Sequence, residues 1–224
     1  MSDFLPILPA LLFSVVVHEL AHGWVALRLG DPTARDAGRL TLNPIPHIDL
    51  FGSIIVPAIS LLATGRVFIA WAKPVPINPG YFRTPRRDSA LVSAAGPVSN
   101  LILAFVLAIG TVAVGLAGRA VAPEEGTMGA EAVDFFLRMC YGGMYINVAL
   151  AVFNLMPVPP LDGSHLMAAA LPEKAAEMYA RLGFAGLLAF VFLLNVPAVS
   201  EWFGFLIDLV AAPYNALVSL LLTS

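Results

Sequence analysis

Long apolar stretches constrain the fold of this chain more than any other feature of its sequence. A helix needs roughly 20 mostly apolar residues to cross a lipid bilayer. Three such stretches occupy residues 4–29, 89–117 and 141–156, and two more, 182–196 and 202–222, close the chain. Of all residues, 59% are hydrophobic and 12% are charged, which leaves more apolar surface than a water-facing domain can hide. The sequence therefore predicts an all-α polytopic membrane protein with about five to six transmembrane helices.

The chain is expected to form one membrane-embedded domain over residues 1–224, with a core at 4–171 and C-terminal helices at 182–222. Residues 39–42 alternate Arg, Leu, Thr and Leu, which is typical of a short strand. The segment 51–64 is short and contains Gly52 and Pro57, so we expect it to re-enter the membrane; a full span is the alternative. An acidic loop is predicted at 118–140 and a short helix at 163–171.

Basic residues indicate how the spans are oriented. Arg28, Arg35 and Arg39 follow the first span, and further basic residues precede the second long span. Because cytoplasmic loops are enriched in Lys and Arg, both groups favour the cytoplasmic side, with the N-terminus and the acidic loop outside. The net charge of −3, without a large basic cluster, argues against nucleic-acid binding. The single cysteine, Cys140, excludes an intrachain disulfide.

The first span carries the pattern H-E-x-x-H, formed by His18, Glu19 and His22. Positions four apart lie on one face of a helix, so the two imidazoles can hold one metal ion while Glu19 takes a proton from water. Ionisable groups at the centre of a span are costly, on the order of 2.5–3.5 kcal/mol for Asp, Lys or Arg. A bound dication offsets that cost. A buried hydrogen-bonded cluster and a proton relay are the alternatives.

A tetrahedral zinc site with two imidazoles and a water molecule needs a third protein ligand. The ionisable candidates at membrane depth are His47, Asp49, Asp162, His165 and Asp208. Asp162 is favoured, because prolines break the third span just before it and the glycine after it permits a sharp backbone path. The alternative role for Asp162 is to cap the short helix that follows.

Two further motifs accompany H-E-x-x-H: G-P-x-x-N at residues 96–100 and N-x-x-P-x-P-x-x-D-G at residues 154–163. In this order the three motifs resemble the site-2 protease family of intramembrane zinc metalloproteases, peptidase family M50. The chain looks like the short bacterial branch, without PDZ or nucleotide-sensing domains. The resemblance implies one Zn²⁺ per chain, bound by His18, His22 and Asp162. It implies Glu19 as general base and then acid, and Asn154 as a polar helper near the scissile carbonyl.

The resemblance to the bacterial branch also implies an integral protein of the bacterial plasma membrane. The orientation of the spans predicts an active site towards the cytoplasm, since Arg28 follows His22 by six residues, about 9 Å of helix. Its expected partners are transmembrane protein substrates and membrane lipid, and a homo-oligomer is left open. Residues 39–42 and 51–64 either pair with an extended substrate by edge addition or only plug the site.

Two polar residues and two rival functions stay open at this point. His47 is either a solvated loop histidine or a residue that caps or gates the metal. Asn100 either packs helices together or belongs to the substrate region. The rival functions are a zinc-binding transporter or sensor and an inactive scaffold that binds membrane helices. A transporter needs ionisable residues along a path across the bilayer, whereas those of this chain gather near one depth, which favours the protease.

Overall fold

The computed structural model describes residues 5–55, 72–124 and 126–223. Within them the chain forms eight α-helices, whose bounds are α1 Leu8–Arg28, α2 Thr33–Asp36, α3 Pro85–Val121, α4 Met128–Asn154, α5 Asp162–Ala170, α6 Glu173–Ala180, α7 Gly183–Leu193 and α8 Pro197–Thr223. Short 3₁₀ turns occupy Leu5–Ile7, Ile45–His47 and Pro79–Tyr81, and a π-helical turn occupies Leu50–Ile55. None of the described residues lies in a β-strand.

Within the described ranges, four helices are long and apolar enough to cross a membrane, namely Leu5–Arg28, Pro85–Val121, Met128–Asn154 and Pro197–Leu222. Helices α6 and α7 meet at a bend of 68° and would add a fifth span if they cross together. The all-α polytopic fold class is therefore confirmed. About five to six spans were expected. The described residues contain four, or five if the bent pair counts as one span.

Helix α3 lies at the centre of the bundle and packs against α1, α4, α5 and α8. Small residues allow this close packing, because Ala104 and Ala108 lie one turn apart on α3 and are fully buried. They contact a core formed with α4 and α8 that includes Met144, Val148 and Ala211. Large apolar side chains cover the outer faces of the spans, as a lipid solvent permits.

The connection between α1 and α3 is irregular, and the strand predicted at 39–42 is wrong. In a strand Leu40 and Leu42 would share a face, but Leu42 is exposed whereas Leu40 packs near Gly23 of α1. The Arg39 guanidinium is buried and donates to the carbonyl of Lys73 at 2.6 Å. Four alternating residues were too short a pattern to predict a strand. Residues 56–64 of the proposed re-entrant segment lie outside the described residues.

The connection is tied to α1 by the carboxylate of Asp31, which is fully buried. Its oxygens accept hydrogen bonds from the backbone N–H of Thr33 at 2.9 Å and of Asn78 at 2.6 Å. Burial alone raises the pKa of Asp31, but these bonds and one from the Thr33 hydroxyl outweigh it and hold that pKa below its ordinary value. The chain after residue 72 is thereby held beside the end of α1.

The loop predicted at 118–140 is also wrong, because most of it is helical. Helix α3 continues to Val121, and α4 begins at Met128 after Thr127, whose hydroxyl caps it by accepting from the Ala130 N–H at 3.4 Å. The charged residues lie on the outer face of α4, where Arg138 and Asp134 pair at 2.7 Å. Helix α6 was not predicted, since its residues are too polar to extend an apolar stretch.

Candidate metal centre

Two histidines lie one turn apart on α1, near the middle of the bundle. Because His18 and His22 are four residues apart, their rings project from the same face of the helix. Their Nε2 atoms lie 3.1 Å apart, and both side chains are buried. The helix therefore presents two imidazole nitrogens to one point.

The break after α4 brings a carboxylate to the same point. Helix α5 begins at Asp162, and Asp162 Oδ2 lies 3.2 Å from His18 Nε2 and 3.4 Å from His22 Nε2. Gly163 makes this path possible, since a methyl group there would lie 2.6 Å from the Met156 carbonyl oxygen and closer still to that of Leu155. The capping residue of α5 is Leu161, and no side chain caps the helix. Asp162 therefore does not serve as the helix cap.

The other ring nitrogens have hydrogen-bond partners outside the cluster. His22 Nδ1 lies 2.7 Å from the Val92 carbonyl oxygen, which can only accept, so Nδ1 carries the proton. His18 Nδ1 lies 2.6 Å from Asn100 Oδ1. With the protons on Nδ1, both Nε2 atoms direct lone pairs towards Asp162.

This arrangement fits a zinc ion. Bonds of about 2.0–2.2 Å to a tetrahedral zinc place neighbouring ligand atoms about 3.4 Å apart. The three ligand atoms here are separated by 3.1, 3.2 and 3.4 Å. Asp162 Oδ2 is buried without a hydrogen-bond partner. Three converging lone pairs repel one another, and one shared proton would satisfy only one pairing, whereas a dication attracts all three. Among the described residues no other group of His, Cys, Asp or Glu side chains could hold a metal ion in this way.

Helix α3 closes the cluster from the other side through the glycine of its G-P-x-x-N motif. A methyl group at Gly96 would lie 2.6 Å from Cε1 of His18 and 2.6 Å from Cε1 of His22, and closer still to His22 Nε2. Asn100 follows one turn later and is fully buried against His18. The motif therefore contacts both imidazoles, and the small size of Gly96 lets α3 pack directly against the metal centre.

Glu19 lies next to the cluster but supplies none of its three ligand atoms. Its Oε2 accepts a hydrogen bond from the backbone N–H of Val75 at 2.9 Å. Val75 is buried in the chain that precedes α3. The Glu19 carboxylate is thus held by backbone of the α1–α3 connection, whose residue Lys73 also donates its N–H to the His47 carbonyl at 2.9 Å.

The structure does not bring the other predicted site residues into the cluster. The Nδ2 of Asn154 donates to the Leu150 carbonyl of its own helix at 3.0 Å. His47 is 2% exposed and its Nε2 donates to the Thr41 carbonyl at 3.0 Å, so the interpretation as a solvated loop histidine is wrong. Asp49 accepts from the Gly52 N–H at 2.6 Å. His165 and Asp208 are exposed on α5 and α8.

Sequence reasoning missed two residues that stand behind the cluster. Ser14 and Asn147 are fully buried and are linked to His18 through Asn100. An amide in the middle of an apolar span was the available signal for Asn147, since intramembrane polar residues are rare and need partners. Ser14 offered no comparable signal, because a serine inside a helix readily bonds to its own backbone.

Comparison with known proteins gives consistent matches. The profile of Peptidase family M50 matches residues 114–194. The protein YwhC of Bacillus subtilis, named as a candidate zinc metalloprotease, is 38% identical over 187 residues, which cover 84% of this chain and 78% of YwhC. The Rip2 proteins of Mycolicibacterium smegmatis and Mycobacterium tuberculosis, named in the same way, are 30% identical over 203 residues, 89% of this chain and 70% of theirs. No solved structure matches this chain significantly.

Proposed function

Since this chain belongs to peptidase family M50 and is a zinc metallopeptidase, we propose that it hydrolyses peptide bonds in or near the transmembrane segments of other membrane proteins. The observation that carries the proposal is the position of the site. His18, Glu19 and His22 lie on α1, a helix that is itself long and apolar enough to cross the membrane. Transmembrane proteins and the surrounding lipid are then the partners of the enzyme.

His18, His22 and Asp162 are proposed to hold the Zn²⁺ cofactor, with two imidazole nitrogens and one carboxylate oxygen as ligands. This ligand set leaves one position of a tetrahedral site open, which is the usual arrangement in catalytic zinc sites. The chemistry that Zn²⁺ supplies when bound is Lewis acidity, which polarises a carbonyl group and lowers the pKa of a neighbouring water molecule to about 7.

Glu19 is proposed to move the proton. Its carboxylate takes a proton from the attacking water and later delivers it to the nitrogen of the leaving amine. The Val75 N–H binds Oε2, which orients the carboxylate and leaves Oε1 for the proton. Asn154 would help only if its Nδ2 exchanged the Leu150 carbonyl for the oxyanion of the substrate, since it donates to its own helix in this structure.

The depth of the site supports access for water from one side. Arg28, the last residue of α1, follows His22 by six positions, which corresponds to about 9 Å of helix. We propose that this end faces the cytoplasm, because basic residues follow α1 and precede α3. The relatives YwhC and Rip2 come from bacteria, which supports the bacterial plasma membrane as the location.

The transporter hypothesis has less support than the protease. The ionisable side chains of the centre come together at one point between α1 and α5. A transporter would need such groups along a path across the bilayer. An inactive scaffold would have no use for a carboxylate beside three converging ligands, and Glu19 occupies that place.

A Glu19→Gln variant tests the proposal, because glutamine keeps the shape of the side chain but cannot accept the proton. We expect it to retain zinc and to lose cleavage by about 100- to 10,000-fold, the usual contribution of a general base. Membrane-protein fragments are compared by mass spectrometry in cells that carry the wild type or the variant. Glu201→Gln, on the exposed surface of α8, is the matched control. Fragments from Glu19→Gln at wild-type levels would contradict the proposal.

A further inference from the structure

A chain of buried polar side chains crosses three helices behind His18. Ser14 of α1, Asn100 of α3 and Asn147 of α4 are each fully buried. All three lie inside helices that are long and apolar enough to span the membrane. Polar groups in such positions are costly unless they are paired, and they mark functional sites more often than other intramembrane residues do.

Each member of this chain is joined to the next by a hydrogen bond. Asn100 Nδ2 donates to Asn147 Oδ1 at 2.8 Å. Asn147 Nδ2 donates both to Ser14 Oγ at 2.7 Å and to the Gly143 carbonyl at 2.8 Å. The Ser14 hydroxyl donates to the Ala10 carbonyl at 2.5 Å.

The two backbone carbonyls at the far end fix the direction of every bond. Gly143 O can only accept, so the amide atom of Asn147 that faces it must be Nδ2. Ser14 donates its only proton to Ala10 O, so it too can only accept from Asn147. Asn147 must therefore turn Oδ1 towards Asn100, and Asn100 must donate to it with Nδ2. The orientation of both amides follows from the protein and leaves no freedom to flip.

The consequence reaches His18. With Nδ2 of Asn100 committed to Asn147, its Oδ1 faces His18 Nδ1 at 2.6 Å. That oxygen can only accept, so His18 carries its proton on Nδ1 and directs the lone pair of Nε2 towards Asp162. If Asn147 lost its carbonyl oxygen, Asn100 Nδ2 would keep only its longer bond to the Ser14 backbone carbonyl, at 3.5 Å. The Asn100 amide could then flip and offer an N–H to His18 Nδ1. The proton would then move to Nε2, where it competes with the metal ion.

We infer that Asn147 and Ser14 are positioning residues for zinc, which act through Asn100 to hold His18 in its metal-binding tautomer. The inference rests on the proposed zinc site and deepens it. Partners in the outer shell of a metal site change its affinity by about 10- to 100-fold when they are removed. Asn147 has the larger effect of the two, because without Ser14 its Nδ2 still donates to Gly143.

The test is the zinc affinity of purified full-length protein in detergent, measured by competition with a metal chelator. Asn147→Leu, which keeps the branched shape and the number of heavy atoms, is expected to weaken zinc binding by about 10- to 100-fold, and Ser14→Ala to weaken it by less. Thr111→Val is the matched control. It removes a buried hydroxyl on α3 that is remote from the cluster and donates to the Leu107 carbonyl at 2.9 Å. It is expected to bind zinc like the wild type.

A further measurement separates positioning from a loss of packing. The thermal stability of the zinc-free variants is expected to fall in Thr111→Val as well, whereas zinc affinity falls only in Ser14→Ala and Asn147→Leu. If Asn147→Leu does not fold, the smaller Asn147→Ala decides in its place, because Ser14→Ala leaves the bond from Asn147 to the Gly143 carbonyl intact. Wild-type zinc affinity in the folded variants would overturn the inference. His18→Ala tells this failure apart from failure of the zinc site itself, because wild-type affinity in that variant would refute the site.

Discussion

Replacing Gly96 with alanine is a direct test of how closely α3 packs against the metal centre. The added methyl group would lie 2.6 Å from Cε1 of both His18 and His22, where ordinary contact begins at 3.4 Å. The obstacle on each side is a ring that is itself held by a hydrogen bond through its Nδ1. Rings or backbone must therefore separate by at least about 0.8 Å, the shortfall from ordinary contact at the two Cε1 atoms, and by more at His22 Nε2, which lies closer still.

A shift of this size matters because zinc tolerates only about ±0.2 Å in its bond lengths. Loss of an outer-shell partner weakens metal binding by about 10- to 100-fold. We expect Gly96→Ala to weaken zinc binding by at least as much. The same substitution in an exposed helix would raise stability slightly, since alanine is the better helix former by about 1 kcal/mol.

The assay is the zinc affinity of the purified protein by chelator competition, together with its thermal unfolding without zinc. Gly110→Ala is the matched control, because it lies on the same helix and its methyl group would meet only the Cys140 side chain, with Sγ nearest at 3.2 Å. That control is expected to bind zinc normally. Gly96→Ala protein that binds zinc as tightly as Gly110→Ala would refute the packing of α3 against the two imidazoles.

Three further predictions concern the connection between α1 and α3 and the metal itself. His47→Ala should lower the free energy of unfolding by about 1–3 kcal/mol, by removing the partner of Thr41, and leave zinc affinity unchanged; weaker zinc binding at wild-type stability would instead favour the gating role. Asp31→Ala should destabilise the protein at neutral pH, as measured by thermal unfolding. Because the pKa of Asp31 is lowered in the folded state, the difference in stability from wild type should shrink as the pH falls below about 4. A difference independent of pH would contradict this. Free zinc at 100 times its Kd should raise the free energy of unfolding by about 2.7 kcal/mol, and no rise in thermal unfolding would contradict the site.

The part of the centre that could be predicted from the sequence is the part that local spacing determines. His18 and His22 share a face of α1 because of their spacing of four, whatever surrounds them. The approach of Asp162 was predicted from a break in an apolar span, and the structure brings it within 3.4 Å of both imidazoles. A proline-rich break is visible in the sequence because each proline removes a backbone N–H donor from the helix. Lipid cannot replace the lost hydrogen bonds.

The outer partners could not be predicted, because they depend on how helices are placed around one another. The Val92 carbonyl looks like any other backbone group in the sequence, yet it orients His22. Asn147 reaches His18 only through Asn100, across α4, α3 and α1. The extent of α4 was underestimated for another reason. Apolar length shows where lipid begins, whereas the helix begins at its Thr127 cap.

The most direct test of the metal centre is X-ray absorption spectroscopy at the zinc edge, on purified Glu19→Gln protein. The ligand set His18, His22 and Asp162 predicts one zinc per chain with two imidazole nitrogens at about 2.0–2.1 Å and oxygen ligands at about 2.0–2.2 Å. Asp162→Ala should lose an oxygen ligand and most of the zinc. A sulfur ligand at about 2.3 Å, fewer than two imidazoles, or a spectrum unchanged by Asp162→Ala would contradict the account.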